Sequence, residues 1–293
     1  MSADRTGDGG GKEFERVSDA LRARMADGTY PLGSHLPPQR KLALEFQVSR
    51  DTVQRVIREL ANEGWIKSRQ GSGSKVVSVI KTQLIQSPTA AEARPGRTVT
   101  LGPLISKAFE QPEVTLDVYT LTSETLDAHI RLQAERIRAK EIAPERIALR
   151  MLLPSEELDL PYPRSKEDVD DPRMRGRLLA ITRRHTASLR NVLRELETEN
   201  LVSSVEVEIR HAPLTPAFKL YLFNEGEVLH GMYEVIERPI VLDDGREVLA
   251  LDVLGLGATL THFVRDDDVS SQGSVFVDSM QSWFDSVWHH LTG

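Results

Sequence analysis

Apolar residues in the first part of the chain recur at helical spacing in three short runs. Phe14, Val17, Leu21 and Met25 fall on one face of an expected helix. Asp27-Gly28-Thr29-Tyr30-Pro31-Leu32-Gly33 is turn chemistry, with Gly28 suited to a left-handed cap. Leu36-Pro37-Pro38-Gln39-Arg40 opens a second helix, because a proline in the first turn gives up an N–H that would be unpaired there anyway. Leu42, Ala43 and Phe46 are its apolar positions. Gln47-Val48-Ser49 makes a turn, and Ser49 stands as N-cap of a third helix whose buried face is Val53, Val56, Ile57 and Leu60. Gln54, Arg55 and Arg58 lie off that stripe, and Glu63-Gly64 ends it. Residues 65–68 and 74–79 read as two strands around a flexible basic turn, Arg69-Gln70-Gly71-Ser72-Gly73.

Two short helices joined by a tight turn, the second opening on hydrogen-bonding residues, form a helix-turn-helix, and the following hairpin is a wing. The first turn of the second helix enters the major groove, where Arg addresses guanine and Gln adenine. Glycines in the wing allow close backbone approach, and Arg69, Gln70 and Lys75 can meet phosphates or minor-groove edges. Charge supports this once it is divided along the chain. Residues 1–81 carry 14 Lys and Arg against 10 Asp and Glu, a net +4, and the rest carries 23 against 34, a net −11, within a total of −7. A basic head is drawn to duplex DNA while an acidic body is repelled.

The run Gly28…Tyr30-Pro31…Gly33…Leu36-Pro37…Arg40…Leu42-Ala43…Phe46…Val48-Ser49-Arg50…Thr52-Val53…Leu60…Gly64…Gly71…Gly73 resembles the GntR family of bacterial repressors, nearly without gaps over residues 12–79. The resemblance implies that Arg40 touches the DNA backbone, that Arg50 reads a base, usually guanine, and that Asp51, Thr52 and Gln54 also meet DNA. Gly71 matches the wing-tip glycine. Pro38 and the acidic Asp51 depart from the usual pattern; Asp51 either accepts from a cytosine amine or caps the helix dipole. The expected DNA-binding set is therefore Arg40, Ser49, Arg50, Asp51, Thr52, Gln54, Arg55, Arg69, Gln70, Gly71 and Lys75.

Beyond the head, residues 80–112 mix Pro, Gly, Ala and small polar residues with no sustained period and read as a linker, within which 101–109 can form a short helix. The body over 113–293 reads as strand 114–121, helix 123–139, strand 146–153, an acidic Pro-rich excursion 154–172, and a long basic helix 173–196. Strands 205–210, 218–223, 228–235, 240–242 and 248–253 follow, with a hairpin signal at Asp243-Asp244-Gly245. A final helix carries Phe276, Met280, Trp283, Phe284, Val287, Trp288 and Leu291; core packing and a dimer interface both account for that face. The expected organisation is a disordered tail at 1–11, a winged helix-turn-helix at 12–80, a linker at 81–112, and an effector-binding and dimerisation domain at 113–293. The fold class is α+β or α/β, with a mixed C-terminal sheet.

The chain has no cysteine, which excludes disulfides, thiolate metal sites and cysteine nucleophiles. Its eight histidines are scattered without the i, i+4 spacing that puts two ligands on one helix face, so neither metal nor cofactor is expected. No apolar run approaches ~18 residues, so no membrane span is expected. Residues 1–11 lack the apolar core of a signal peptide, and a cytoplasmic, nucleoid-associated bacterial protein is expected. In the body, 113–240 weakly resembles a phospholipase D-type half. Where that fold's H-x-K-x4-D motif would stand, this chain has Ala217, Lys219 and Asn224, so the resemblance implies a non-catalytic binding domain. A chorismate lyase-like effector domain is the competing assignment. Lys219 and Asn224 are candidate ligand contacts, and Arg183 and Arg184 either meet an anion or form a solvated helix face.

These features point to a sequence-specific transcription regulator, a repressor acting as a homodimer on palindromic double-stranded operator DNA, controlled through a C-terminal signal-sensing domain that binds a small-molecule effector or another signal. A DNA-tethered enzyme and a ligand-independent plasmid or architectural repressor are the alternatives.

Overall fold

The chain divides into two compact units, residues 1–79 with 239–248, and residues 80–238 with 249–293. The computed structural model describes residues 9–26, 29–62, 65–69, 73–76, 101–242, 245–253 and 260–292.

In the first unit, helices α1 (Gly9–Ala26), α2 (Gln39–Phe46) and α3 (Arg50–Asn62) precede the antiparallel hairpin of β1 (Ile66–Arg69) and β2 (Gly73–Val76). The periodic residues meet as expected: Val17, Leu21, Met25, Leu42, Phe46, Val53, Val56, Leu60 and Trp65 are buried together with Ile66 and Val76. Helix α1 starts at Gly9, so residues 9–11 are helical rather than part of a tail. Helix α2 ends on Gln47, which takes the left-handed conformation at φ 55° and donates its N–H to Ala43 and Leu44. The segment 33–36, expected only as part of a turn region and its exit, pairs along β2: Gly33 N–H donates to the Val76 carbonyl, Leu36 N–H to Ser74, and Val76 N–H to Ser34. The wing is thereby anchored on the unit's own backbone.

The second unit holds α4 (Leu101–Phe109), β3 (Glu113–Tyr119), α5 (Glu124–Arg138), β4 (Arg146–Pro154), β5 (Arg164–Ser165), α6 (Pro172–Thr198), β6 (Ser204–Ala212), β7 (Phe218–Phe223), β8 (Glu227–Met232), β11 (Thr261–Val264) and α7 (Gln272–His290), together with the parts of β9 (Val235–Val241) and β10 (Glu247–Val253) outside residues 239–248. Its main sheet has six strands in the order β11-β8-β7-β3-β4-β6. Strands β3, β4 and β6 run parallel, joined through α5 and α6, and β7, β8 and β11 extend the sheet antiparallel from β3. A smaller sheet has the order β5-β10-β9.

Two expectations are corrected, and of the two readings of the last helix the packing favours core. The linker does not reach residue 112, because α4 buries Leu101, Ile105 and Phe109 in the second unit. Its Gly102 lies so close to α5 that an added Cβ would stand 2.9 Å from the His129 ring. The strand expected at 228–235 is two: β8 ends at Met232, and at Tyr233 the chain breaks away to start β9. Tyr233 N–H donates to the Ala217 carbonyl, and its hydroxyl accepts from Leu121 N–H and bonds Thr120 Oγ1. Finally, α7 lies on the sheet. Val277, Phe284, Val287 and Trp288 pack with Tyr119, Leu152, Leu220, Leu222 and Val228, so this apolar face is core. Burial of each large side chain there contributes about 1.5–3 kcal/mol.

Candidate nucleic-acid interface

Ser49 sets the start of α3. Its Oγ accepts from Thr52 N–H at 3.0 Å, the N-cap bond that satisfies an otherwise orphaned helix donor. A second bond links Ser49 Oγ to Thr52 Oγ1 at 2.9 Å. Thr52 is therefore turned inward and buried, against the expectation of a DNA contact: its β-carbon lies on the same stripe as Val53, Val56 and Leu60. Arg50, Asp51, Gln54 and Arg58 are exposed on the opposite side. Arg55 is also exposed but its guanidinium lies 5.2 Å over the Phe14 ring, which holds it towards α1. Asp51 sits in the first turn, where a carboxylate complements the helix dipole.

Helix α2 begins after Pro38 with no side-chain cap, and Arg40 is exposed in its first turn. Helices α1 and α2 are tied together by Arg16, which donates to the Phe46 carbonyl at 2.7 Å, and by Arg24, which pairs with Glu45 and stacks over Phe46. In the wing, the register sets Lys67 directly opposite Lys75. Like charges facing across a ribbon are unfavourable unless an anion lies between them or near them. The sequence does not single out Lys67, because only the register reveals this pairing. Arg69 closes β1, opposite Gly73 at φ 77°; Gln70 and Gly71 lie outside the described residues.

The two ligand candidates in the body are not brought together. Lys219 is buried near the start of β7 with Nζ 5.5 Å over the Tyr233 ring. Asn224 follows the other end of that strand, about 16 Å away at strand rise. Its Oδ1 accepts from Thr115 N–H and its own N–H donates to the Thr115 carbonyl, both at 2.9 Å. Asn224 is thus a turn residue pinned to β3, at φ 45°, and the pair forms no shared site. Burial lowers the Lys219 pKa to about 8, with Glu124 opposing the shift. Arg183 is paired with Glu156. Among the described residues no three His, Asp or Glu side chains gather as they would around a metal ion, and no helix is long and apolar enough to cross a membrane.

Residues 14–76 match the profile of bacterial regulatory proteins of the gntR family. Over 66 residues the chain is 45% identical to the HTH-type transcriptional repressor STM4068 of Salmonella typhimurium, covering 22% of this chain and 28% of that protein. Over 126 residues it is 26% identical to the uncharacterized HTH-type transcriptional regulator YdfD of Bacillus subtilis, covering 40% of this chain and 25% of that one. A solved GntR family transcriptional regulator from Listeria monocytogenes aligns at 22% identity over 26% of this chain and 62% of that chain, with a TM-score of 0.22, too low to establish a shared fold. The chain spans about a quarter of the length of these curated relatives.

Proposed function

Because residues 14–76 form a gntR-family winged helix-turn-helix domain, we propose that the protein is a sequence-specific DNA-binding transcription regulator. It works as a repressor in the bacterial cytoplasm, binds a palindromic operator as a homodimer, and is controlled through its C-terminal domain. The observation that carries this reading is the start of α3. With Ser49 spent on the cap and Thr52 inward, Arg50, Asp51, Gln54 and Arg58 remain on the free face.

Arg50 reads guanine through its two-pronged guanidinium and Gln54 reads adenine. Arg40 and the uncapped N-terminus of α2 take a phosphate, since such a helix end offers N–H groups and a positive dipole. Arg55 and the wing residues Lys67, Arg69, Gln70, Gly71 and Lys75 follow the backbone and the minor groove. Ala217, standing where the motif has its histidine nucleophile, weighs against the alternative of a phospholipase D-type enzyme. Control through the body requires a ligand that binds two arrangements of the protein with different affinity.

Selection of binding sites from a random DNA pool with the full chain tests this reading. A palindromic consensus is expected, and loss of roughly 1–3 kcal/mol of affinity on Arg50→Ala, confined to one base position. Recovery of unselected sequence overturns it.

A further inference from the structure

A cavity of about 310 Å³ lies at the carboxyl ends of the parallel strands β3 and β4, where Leu121 follows β3 and Pro154 ends β4. Ligands of open α/β sheets bind in this position, outside the carboxyl ends of the strands. Its roof is the excursion between β4 and α6. Its wall is one face of α6, where Arg175, Leu178, Leu179 and Thr182 recur at the spacing that aligns side chains along a helix. Leu178 and Leu179 are both only half-buried, and Leu121, Leu160 and Tyr162 complete an apolar slot.

The charged groups around the slot are unevenly satisfied. Glu156 is bound by Arg183. Asp159 is paired with Arg164 at 2.5 Å. Asp171 caps α6 by accepting from Arg173 N–H at 3.0 Å and pairs with the Arg173 guanidinium at 2.7 Å. Arg175 is held less: it donates one N–H to the Glu156 carbonyl at 2.5 Å and acts on the Asp159 carboxylate through its charge. A guanidinium has five N–H donors in a fixed fork that matches a carboxylate. Asp170 stands exposed on the rim, where its charge acts on Arg164. The larger cavity at the opposite strand ends lacks this imbalance, since its Arg150 is already held by Asp117 and Asp285.

We infer that this cavity binds a small amphipathic organic acid, its apolar body between Leu121, Leu160, Tyr162, Leu178 and Leu179 and its carboxylate on Arg175. At about 30 Å³ per liquid water the space equals roughly ten waters, room for an acid of about a dozen non-hydrogen atoms. The inference deepens the proposed sensing role and rests on it for its effect at DNA, while the site itself is open to test without DNA.

The test is isothermal titration calorimetry of the full chain with hydrocinnamate, its neutral amide and phenylpropylamine at millimolar concentration. Hydrocinnamate saturates at one per chain, about tenfold tighter than the amide. Arg175→Ala removes that preference and leaves the affinity for the amide unchanged, a result that general loosening of the roof would not produce. Leu179→Glu abolishes binding of both. The proposal is overturned by no saturable binding of hydrocinnamate, by tighter binding of the amine, or by an acid preference that survives Arg175→Ala. Hydrocinnamate binding with no DNA site selected would sink the regulator reading and leave this one standing.

Discussion

Lys219 carries a large electrostatic cost for a single residue. Its ammonium is buried under Tyr233, and burial lowers its pKa from 10.5 to about 8. The unfolded chain therefore holds this proton between pH 8 and 10.5 while the folded chain releases it, so stability rises with pH across that window. Below about pH 8 the cost is fully present, on the order of 3 kcal/mol. Tyr119, Tyr221 and Tyr233 have pKa values raised by burial, so above pH ~10 their ionisation in the unfolded state reverses the gain. Lys219→Met is expected to raise the urea midpoint at pH 7 and to flatten its rise between pH 8 and 10. An unchanged slope would show that Lys219 is not the titrating group. The sequence singles out Lys219 as a motif remnant, but its burial depends on Tyr233 arriving from beyond β8. Thr52 is a parallel case: its identity fits a DNA contact, and only its inward bond to Ser49 assigns it to the cap.

Among the elements, α7 and α6 offer a matched pair of glycines. A Cβ on Gly273, at the start of α7, would stand 2.3 Å from the Val264 carbonyl oxygen of β11. Backbone cannot yield as a side-chain tip can, so Gly273→Ala should cost about 1–3 kcal/mol. A Cβ on Gly176, in α6, meets nothing within 4 Å. Gly176→Ala should therefore stabilise by about 0.5–1 kcal/mol through helix propensity. Urea unfolding of both variants checks the signs, and equal effects would refute the close approach of α7 to β11. Helices α1, α2, α3, α5 and α6 were legible from spacing and turns because those signals are local. The sequence does not tie the short α4 to the body: its apolar residues surround most of the helix, so no polar face marks a boundary. Strands β5 and β11 are too short to show a period of their own.

At the scale of the molecule, the basic head and acidic body set the conditions for DNA binding. Released counterions make the affinity fall steeply with salt. Because α7 spends its aromatic face on the core, a dimer must use another surface. The proposed palindromic operator still requires two heads, so sedimentation at the protein concentration used for DNA binding should give twice the 32.8 kDa chain mass. A monomer that nevertheless selects a palindrome would mean that pairing occurs only on DNA.

What the amino-acid order alone determined is the head: its helices, its Ser49 cap, its exposed Arg50 and its charge. All of these rest on interactions between residues a few positions apart. Tertiary structure decided what depends on distant pairing. It set Lys67 against Lys75, covered Lys219 with Tyr233, pinned Asn224 to β3, and built a cavity where β3, β4 and α6 converge. Side-chain periodicity tells which face of an element is buried, but not which other element will cover it, and sites in the body are made by that choice.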